Sequence, residues 1–320
     1  MRLSGITPSG HAQLGNYLGA IRRWAADGGE RDLYFISDLH AMTTAHNPAR
    51  LRSLAEETLA ALIASGIPAE RVFVQSDLTA ELGALTWVLE CTCTYGEAAR
   101  MIQFKEKAGG QAGVRLSLLT YPVLMAADIL LQGASEVPVG EDQNQHVELA
   151  RALARRFNST YGEVFTVPRA VLPLAGARVR DLADPARKMS KSTKDSAGVV
   201  FLLDEPELIR RKIRRAVTDS HSIPGYQPDE RPGIANLLEI LAACTGRAPG
   251  DLAGEYPTYG ALKEATAEAV VETLRPVRER TTELLTDPAE LARIRKEGAA
   301  RAAERGEHRL SSALRLIGAG

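Results

Sequence analysis

What this chain of 320 residues lacks narrows its possible roles before any motif is considered. Cysteine is scarce: Cys91, Cys93 and Cys244 are the only three. A Cys-Thr-Cys with a distant third matches neither a zinc nor an iron–sulfur spacing. The odd, sparse count predicts a reducing compartment. Surplus charge is missing too: 39 Lys and Arg stand against 40 Asp and Glu, a net charge of -1. A polycation is excluded, so any nucleic acid has to be met by a local basic patch. No apolar run is long enough to span a bilayer; the longest, Leu116 to Leu131, is broken by Pro122 and Asp128. The N-terminus turns polar and glycine-rich just after Met1, which predicts no signal-peptide core. No GxGxxG follows a strand, so a dinucleotide site is not expected. Internal repeats and low-complexity tracts are absent. These absences predict a cytoplasmic protein without a membrane segment.

What is present reads as α/β. Residues 2–7, Asp32–Ser37 and Arg71–Ser76 are apolar strand candidates, with a helix predicted from Pro48 to Ser65 between the second and third. That alternation predicts a doubly wound parallel sheet. Glu56 and Glu57 are expected on the outer face of the helix. Residues 80–131 read mostly helical, and Val137–Val139 is a short strand running into polar residues that open a helix through Arg156. From Leu203 onward the chain reads as helices with short loops. There Ile209–Arg215 gathers positive charge, either as a solvated face or as a contact for nucleic-acid phosphates.

Several polar groups stand where strands end. Pro8-Ser9-Gly10 leads into Gln13-Leu14-Gly15-Asn16, a turn and helix start whose unpaired N–H groups suit an anion. Gly10 to Gly15 has P-loop-like spacing, but Asn16-Tyr17 replaces the Lys-Ser/Thr that such a loop needs. Gly15 and Gly19, four apart, leave room for something flat or for close helix packing. His40 follows the second strand and reads either as a capping histidine or as a site residue. Asp128 lies inside an apolar helix with no basic sequence neighbour, so it needs a donor from elsewhere in the fold or from a ligand. Glu141, Asp142 and Gln143 suit either helix capping or a sugar and an ammonium group. Lys107 ends a helix, where it offsets the dipole. Lys188-Met189-Ser190-Lys191-Ser192 reads either as a solvated basic turn or as a mobile grip on polyphosphate.

Taken together and in order, these segments resemble tryptophanyl-tRNA synthetases of class I. Residues 8–16 are similar to the HIGH motif of that class, and residues 188–192 repeat its second motif, KMSKS, letter for letter. Phe104–Lys107, Met125–Leu130 and Val139–Leu149 are similar to the tryptophan branch in particular. The resemblance implies a Rossmann-type doubly wound catalytic domain over 1–185, with a helical dimerisation insertion at about 78–165. The loop and a helical anticodon-binding domain would fill 186–320. It implies a homodimer, ATP with Mg2+, L-tryptophan and tRNA(Trp). The reaction would form an adenylate and pyrophosphate, then pass the acyl group to the tRNA terminal ribose.

Site residues carried over are Lys188 and Lys191 on the leaving pyrophosphate, with Lys107 opposite. Thr7, Pro8, Ser9, Gly10, Gly15, Asn16, Gly140, Glu141, Asp142, Val179, Met189, Ser190 and Ser192 would surround ATP. Asp128 would accept the indole N–H, which is a donor only. Met125 and Val137 would wall the ring, Tyr121 and Gln143 would hold the amino group, and His40 would complete the pocket. The chain departs from the family at two positions. Gln13 stands where the family usually has His or Thr, still a phosphate donor but without charge. Thr7 stands where many members have Gln. A tyrosine-specific relative and a paralogue with a binding role are the alternatives.

Overall fold

The computed structural model describes residues 1–108, 113–171, 178–191, 196–221 and 223–320; side chains at 106–108 and 141 are outside this description. Strand β1 (Leu3–Ile6) runs into a turn, then α1 (Leu14–Asn16), one wide π turn over Tyr17–Ile21, and α2 (Arg22–Asp27). β2 (Leu33–Ile36), α3 (Asp38–Ala41), α4 (Pro48–Ala64) and β3 (Val72–Val74) follow. Four helices come next: α5 (Thr79–Thr92), α6 (Tyr95–Ala99), α7 (Ile102–Ala108) and α8 (Leu116–Gln132). β4 (Glu136–Pro138), α9 (Asn144–Tyr161) and β5 (Arg169–Val171) close the sheet region. The rest is helical: α10 (Pro206–Arg214), α11 (Pro232–Thr245), α12 (Pro249–Ala253), α13 (Tyr259–Thr286) and α14 (Pro288–Leu316).

Helix boundaries follow local chemistry. Asn47 caps α4 by accepting from the Arg50 N–H, with Pro48 in the first turn where a missing N–H costs nothing. Gly133 ends α8 at φ +66°, a left-handed position that suits glycine.

β1 pairs with β2 and β2 with β3, while β4 pairs with β5, all parallel. A parallel bridge between Arg2 and Glu136 joins the two pieces, giving the order β3-β2-β1-β4-β5. The expected doubly wound parallel sheet is therefore present. Its strand order reverses between β1 and β4, and open sheets of this type bind ligands outside such a reversal.

Side chains alternate across the sheet and feed two apolar layers. Tyr34, Ile36, Val72 and Val74 pack with Leu59 and Leu62 of α4 and with Val270 and Leu274 of α13. Leu3, Leu33, Phe35 and Phe73 pack with Leu85, Leu130 and Leu153, and Ala302 and Ala313 of α14 join that layer. Each fully buried side chain of this size contributes about 1.5–3 kcal/mol. The C-terminal helices thus complete the core on both faces of the sheet. α14 lies so close that a Cβ at Gly298 would fall 1.8 Å from the Val72 carbonyl oxygen.

Glu57 departs from its expected exposed placement. It is 9% exposed and its carboxylate meets His11 Nδ1 at 2.7 Å, because α4 turns that side toward the first turn of the chain. Lys212, within the basic segment, is also buried, bonded to the Asp204 carboxylate at 2.6 Å and to the Val199 carbonyl. Arg210 is held by Glu207 and Glu268, which takes it out of any simple basic stripe.

Candidate active site

Four strand ends and one helix converge at the reversal. β1 delivers Thr7–Gly10, β2 delivers Ser37–His40, β3 delivers Gln75 and β4 delivers Val139–Gln143. α8 crosses beside them and presents Tyr121, Met125 and Asp128 at spacings of four and three, one face of a helix. They line a cavity of about 460 Å³ with Thr7, His40, Val137, Gly140 and Gln143. A second cavity of about 270 Å³ lies between the other sheet face and α2. Its Arg2, Asp32, Tyr34 and Glu136 are hydrogen-bonded within the protein, and none of the expected catalytic, ATP or tryptophan residues lines it.

Asp128 is 2% exposed. Its carboxylate does not wait for a ligand: His40 Nε2 lies 2.9 Å from Oδ2, and Gln75 Nε2 donates to both oxygens at 2.9 and 2.8 Å. A carboxylate facing His40 Nε2 assigns the proton to that nitrogen. Of the two donor sources open to Asp128, the fold itself supplies partners: they come from the ends of β2 and β3. Burial pushes the Asp128 carboxyl up from its ordinary range, opposed by the His40 and Gln75 hydrogen bonds. Each oxygen has more than one acceptor direction, so room remains for a further donor.

Tyr121 and Gln143 both meet His146, which is 1% exposed. The Tyr121 hydroxyl lies 3.1 Å from His146 Nε2, and His146 Nδ1 lies 2.8 Å from Gln143 Oε1. Gln143 Nε2 in turn donates to Asp142 Oδ2 at 2.7 Å. Burial raises the Tyr121 phenol above its ordinary range, and the Asp142 charge adds to the effect.

The lysine loop lies against the first turn. A Cβ on Gly10 would sit 2.7 Å from the Lys191 carbonyl oxygen, so only glycine permits this contact without displacement. Lys191 Nζ is 3.4 Å from the Thr7 carbonyl oxygen. Burial lowers the Lys191 ammonium to about 8, against the pull of the Glu57 carboxylate. Met189 is buried and bonds through its N–H to the Val179 carbonyl. Lys188 is exposed. Ser190, between Met189 and Lys191, is partly buried.

Gln13 has a different use from that expected of it. It is 1% exposed; its amide donates to the Met189 carbonyl at 2.9 Å and accepts from the Gly15 N–H. Its backbone N–H donates to the Asn16 side chain, completing a reciprocal helix cap. The side chain is thus a tie between the two signature segments, not an open phosphate donor. Gly15 faces Gln13 and Val179, whereas Gly19 lines the second cavity.

Placement of the remaining expected residues is direct. Thr7 bonds to Ser37 at 2.9 Å, and Pro8 and Ser9 line a shallow neighbouring hollow. Gly140 abuts the Asp142 carboxylate. The side chains of Lys107 and Glu141, and Ser192 altogether, lie outside the described residues. Sequence reasoning missed Gln75, His146 and Glu57. Gln75 and His146 each stood at a strand end or helix start beside named residues, which was the available signal.

Among the described residues no group of three or more His, Cys, Asp or Glu could hold a metal ion. The three cysteines form no disulfide. No helix among the described residues is long and apolar enough to cross a membrane.

The chain is similar to known proteins over most of its length. Residues 2–275 match the family model for class I tRNA synthetases of the W and Y group. The chain is 55% identical to Tryptophan--tRNA ligase 1 of Streptomyces coelicolor, over 98% of this chain and 96% of that one. Its fold resembles tryptophanyl-tRNA synthetase from Campylobacter jejuni solved with ADP and tryptophan: TM-score 0.85, 32% identity, 99% of this chain and 100% of that one. The corresponding enzyme from Mycoplasma pneumoniae gives a TM-score of 0.84 at 32% identity, covering 100% and 97%. With its sheet order, its two signature segments in contact and a family match across most of its length, the chain belongs to the class I tRNA synthetases of the tryptophan and tyrosine group.

Proposed function

We propose that this protein is a tryptophan–tRNA ligase. It activates L-tryptophan with ATP to tryptophanyl-adenylate and pyrophosphate, then transfers the acyl group to tRNA(Trp). The observation that carries the reading is Asp128: a carboxylate 2% exposed, held by two donors and turned into an apolar-walled cavity. An indole offers one N–H donor and no acceptor, so a fixed carboxylate at the end of such a cavity selects it. A phenol hydroxyl both donates and accepts, and a site of pure acceptors serves it less well. Met125 and Val137 wall the ring, and Tyr121 and Gln143 receive the ammonium group.

ATP lies across the first turn. Pro8, Ser9, Gly10 and Asn16 meet phosphates or ribose, Gly15 and Val179 bound the adenine, and Gly140, Glu141 and Asp142 face the ribose. The tryptophan carboxylate attacks the α-phosphorus and pyrophosphate leaves. The chemistry is positioning and charge stabilisation. Lys188 and Lys191 oppose charge growing on the leaving group, with Lys107 assisting from the opposite side, and Met189, Ser190 and Ser192 join the ATP-binding set. Gln13 holds the loop to the first turn through the Met189 carbonyl. Mg2+ would accompany ATP and would neutralise part of the phosphate charge.

The reading extends to assembly and place. We assign tRNA recognition to the helices after residue 186 and dimer formation to the segment at about 78–165. Exposed Trp87, Tyr95, Ile102 and Leu116 in that segment support an apolar contact between copies. The cytoplasm is the expected location. The test is ATP–pyrophosphate exchange with each amino acid: stimulation by tryptophan supports the reading, and stimulation by tyrosine instead sinks it. Charging of tRNA(Trp) separates a ligase from a paralogue that stops at the adenylate.

A further inference from the structure

We propose that His146 is a positioning residue that directs the lone pairs of Tyr121 and Gln143 toward the substrate ammonium. The inference rests on the proposed tryptophan activation. No role was assigned to this histidine from sequence, yet it is more deeply buried than Tyr121 or Gln143.

Hydrogen-bond direction places each proton. The Asp142 carboxylate accepts, so Gln143 must turn its amide nitrogen toward it at 2.7 Å. That leaves Gln143 Oε1 facing His146 Nδ1 at 2.8 Å, and an amide oxygen can only accept. The imidazole proton therefore sits on Nδ1. In neutral imidazole the other nitrogen is then an acceptor, and Tyr121 donates its hydroxyl proton to it at 3.1 Å. One direction thus runs through the chain: Tyr121 to His146, His146 to Gln143, Gln143 to Asp142.

The consequence falls on the cavity, which Tyr121 and Gln143 both line. With its proton committed to His146, the phenol presents only lone pairs to a ligand. Gln143 Oε1 keeps its second lone pair, and its N–H groups are drawn toward Asp142. Both groups become acceptors, as a substrate ammonium with three donors requires. Without His146 the hydroxyl proton and the amide orientation are unset, and either can turn a donor toward the ammonium. Tyr121 and His146 also pack edge to face at 5.2 Å between ring centroids, which limits rotation of both.

The test uses two analogues that divide the substrate. Tryptamine keeps the ammonium and lacks the carboxylate; indole-3-propionate keeps the carboxylate and lacks the ammonium. Each is measured as an inhibitor of tryptophan-dependent ATP–pyrophosphate exchange on the full-length protein. His146→Phe should weaken tryptamine about ten- to hundredfold, the loss of charge-assisted hydrogen bonds, and leave indole-3-propionate unchanged. His146→Asn restores a donor to Gln143, and His146→Gln restores an acceptor for Tyr121. Each should recover part of the tryptamine affinity. The inhibitor ratio is read on whatever fraction folds, so reduced yield does not blur it. Equal weakening of both analogues gives His146 a merely structural role and overturns the inference, as does no weakening of either. If the unsubstituted protein shows no tryptophan-dependent exchange, the proposed function itself fails; if it does and the ratio stays constant, only the His146 inference fails.

Discussion

Replacing Asp128 by asparagine separates specificity from structure, because the two costs can be worked out separately. In the native site both oxygens receive N–H donors from His40 and Gln75. Asparagine keeps one acceptor and turns an NH2 toward one of them. If the NH2 faces Gln75, two donors oppose each other in a site that is 2% exposed. A buried donor left unmatched costs about 1–3 kcal/mol. If it faces His40, the imidazole can move its proton to Nδ1 and accept, which holds the cost near the lower end of that range. At about 2.1 cal/mol/K of unfolding entropy per residue, a cost of 1 kcal/mol shifts the melting temperature of a 320-residue chain by roughly 1.5 °C, so the fold should survive. The ligand loses more selectively. Its indole N–H exchanges a charged acceptor, worth about 1.5–3 kcal/mol, for a neutral one worth about 0.5–1.5. The midpoints differ by about 1.25 kcal/mol, which predicts a roughly eightfold higher KM for tryptophan. Exchange kinetics and a thermal melt on the same preparation measure both. A variant that is largely unfolded, but whose folded fraction activates tryptophan normally, refutes the reasoning and makes Asp128 a structural carboxylate.

Two further predictions concern the loop. Burial places the Lys191 ammonium at about 8, below its ordinary value, so it loses its proton as pH rises through that point. kcat/KM for ATP, which reports the free enzyme, should therefore fall above about pH 8, and Lys191→Arg should flatten that limb; the same fall in Lys191→Arg would exclude Lys191 as its source. Gln13→Ala leaves the Met189 carbonyl and the Gly15 N–H without their partner, at about 1–3 kcal/mol each if no water replaces it. It should slow adenylate formation about tenfold or more and open the loop to protease, with little change in tryptophan binding; an unaltered rate and digestion pattern would count against the tie.

How far the sequence could be read depended on distance along the chain. The strand ends were legible because local composition marks them, as in an apolar run ending in Pro-Ser-Gly; the lysine loop read two ways from composition and stood out through its match to a known motif. Asp128 was legible as an anomaly, a carboxylate among apolar neighbours. Its partners were not, because His40 and Gln75 arrive from strands 88 and 53 residues away, and no local pattern encodes which strand end faces α8. Glu57 was misplaced for a related reason: helical periodicity puts it beside half-buried Glu56, but His11 approaches from an unrelated turn and buries it. The C-terminal helices read as a separate helical region from their composition. Small residues such as Gly298 and Ala302 let α14 settle on the sheet, a contact visible only once the strands are in place.

The central claim is that this site activates tryptophan and discriminates by Asp128. ATP–pyrophosphate exchange with purified protein, run separately with every proteinogenic amino acid, tests it most directly. Exchange stimulated by tryptophan far above tyrosine, and weakened for tryptophan by Asp128→Asn, is the predicted result. Exchange driven by tyrosine, or none with any amino acid, would contradict it.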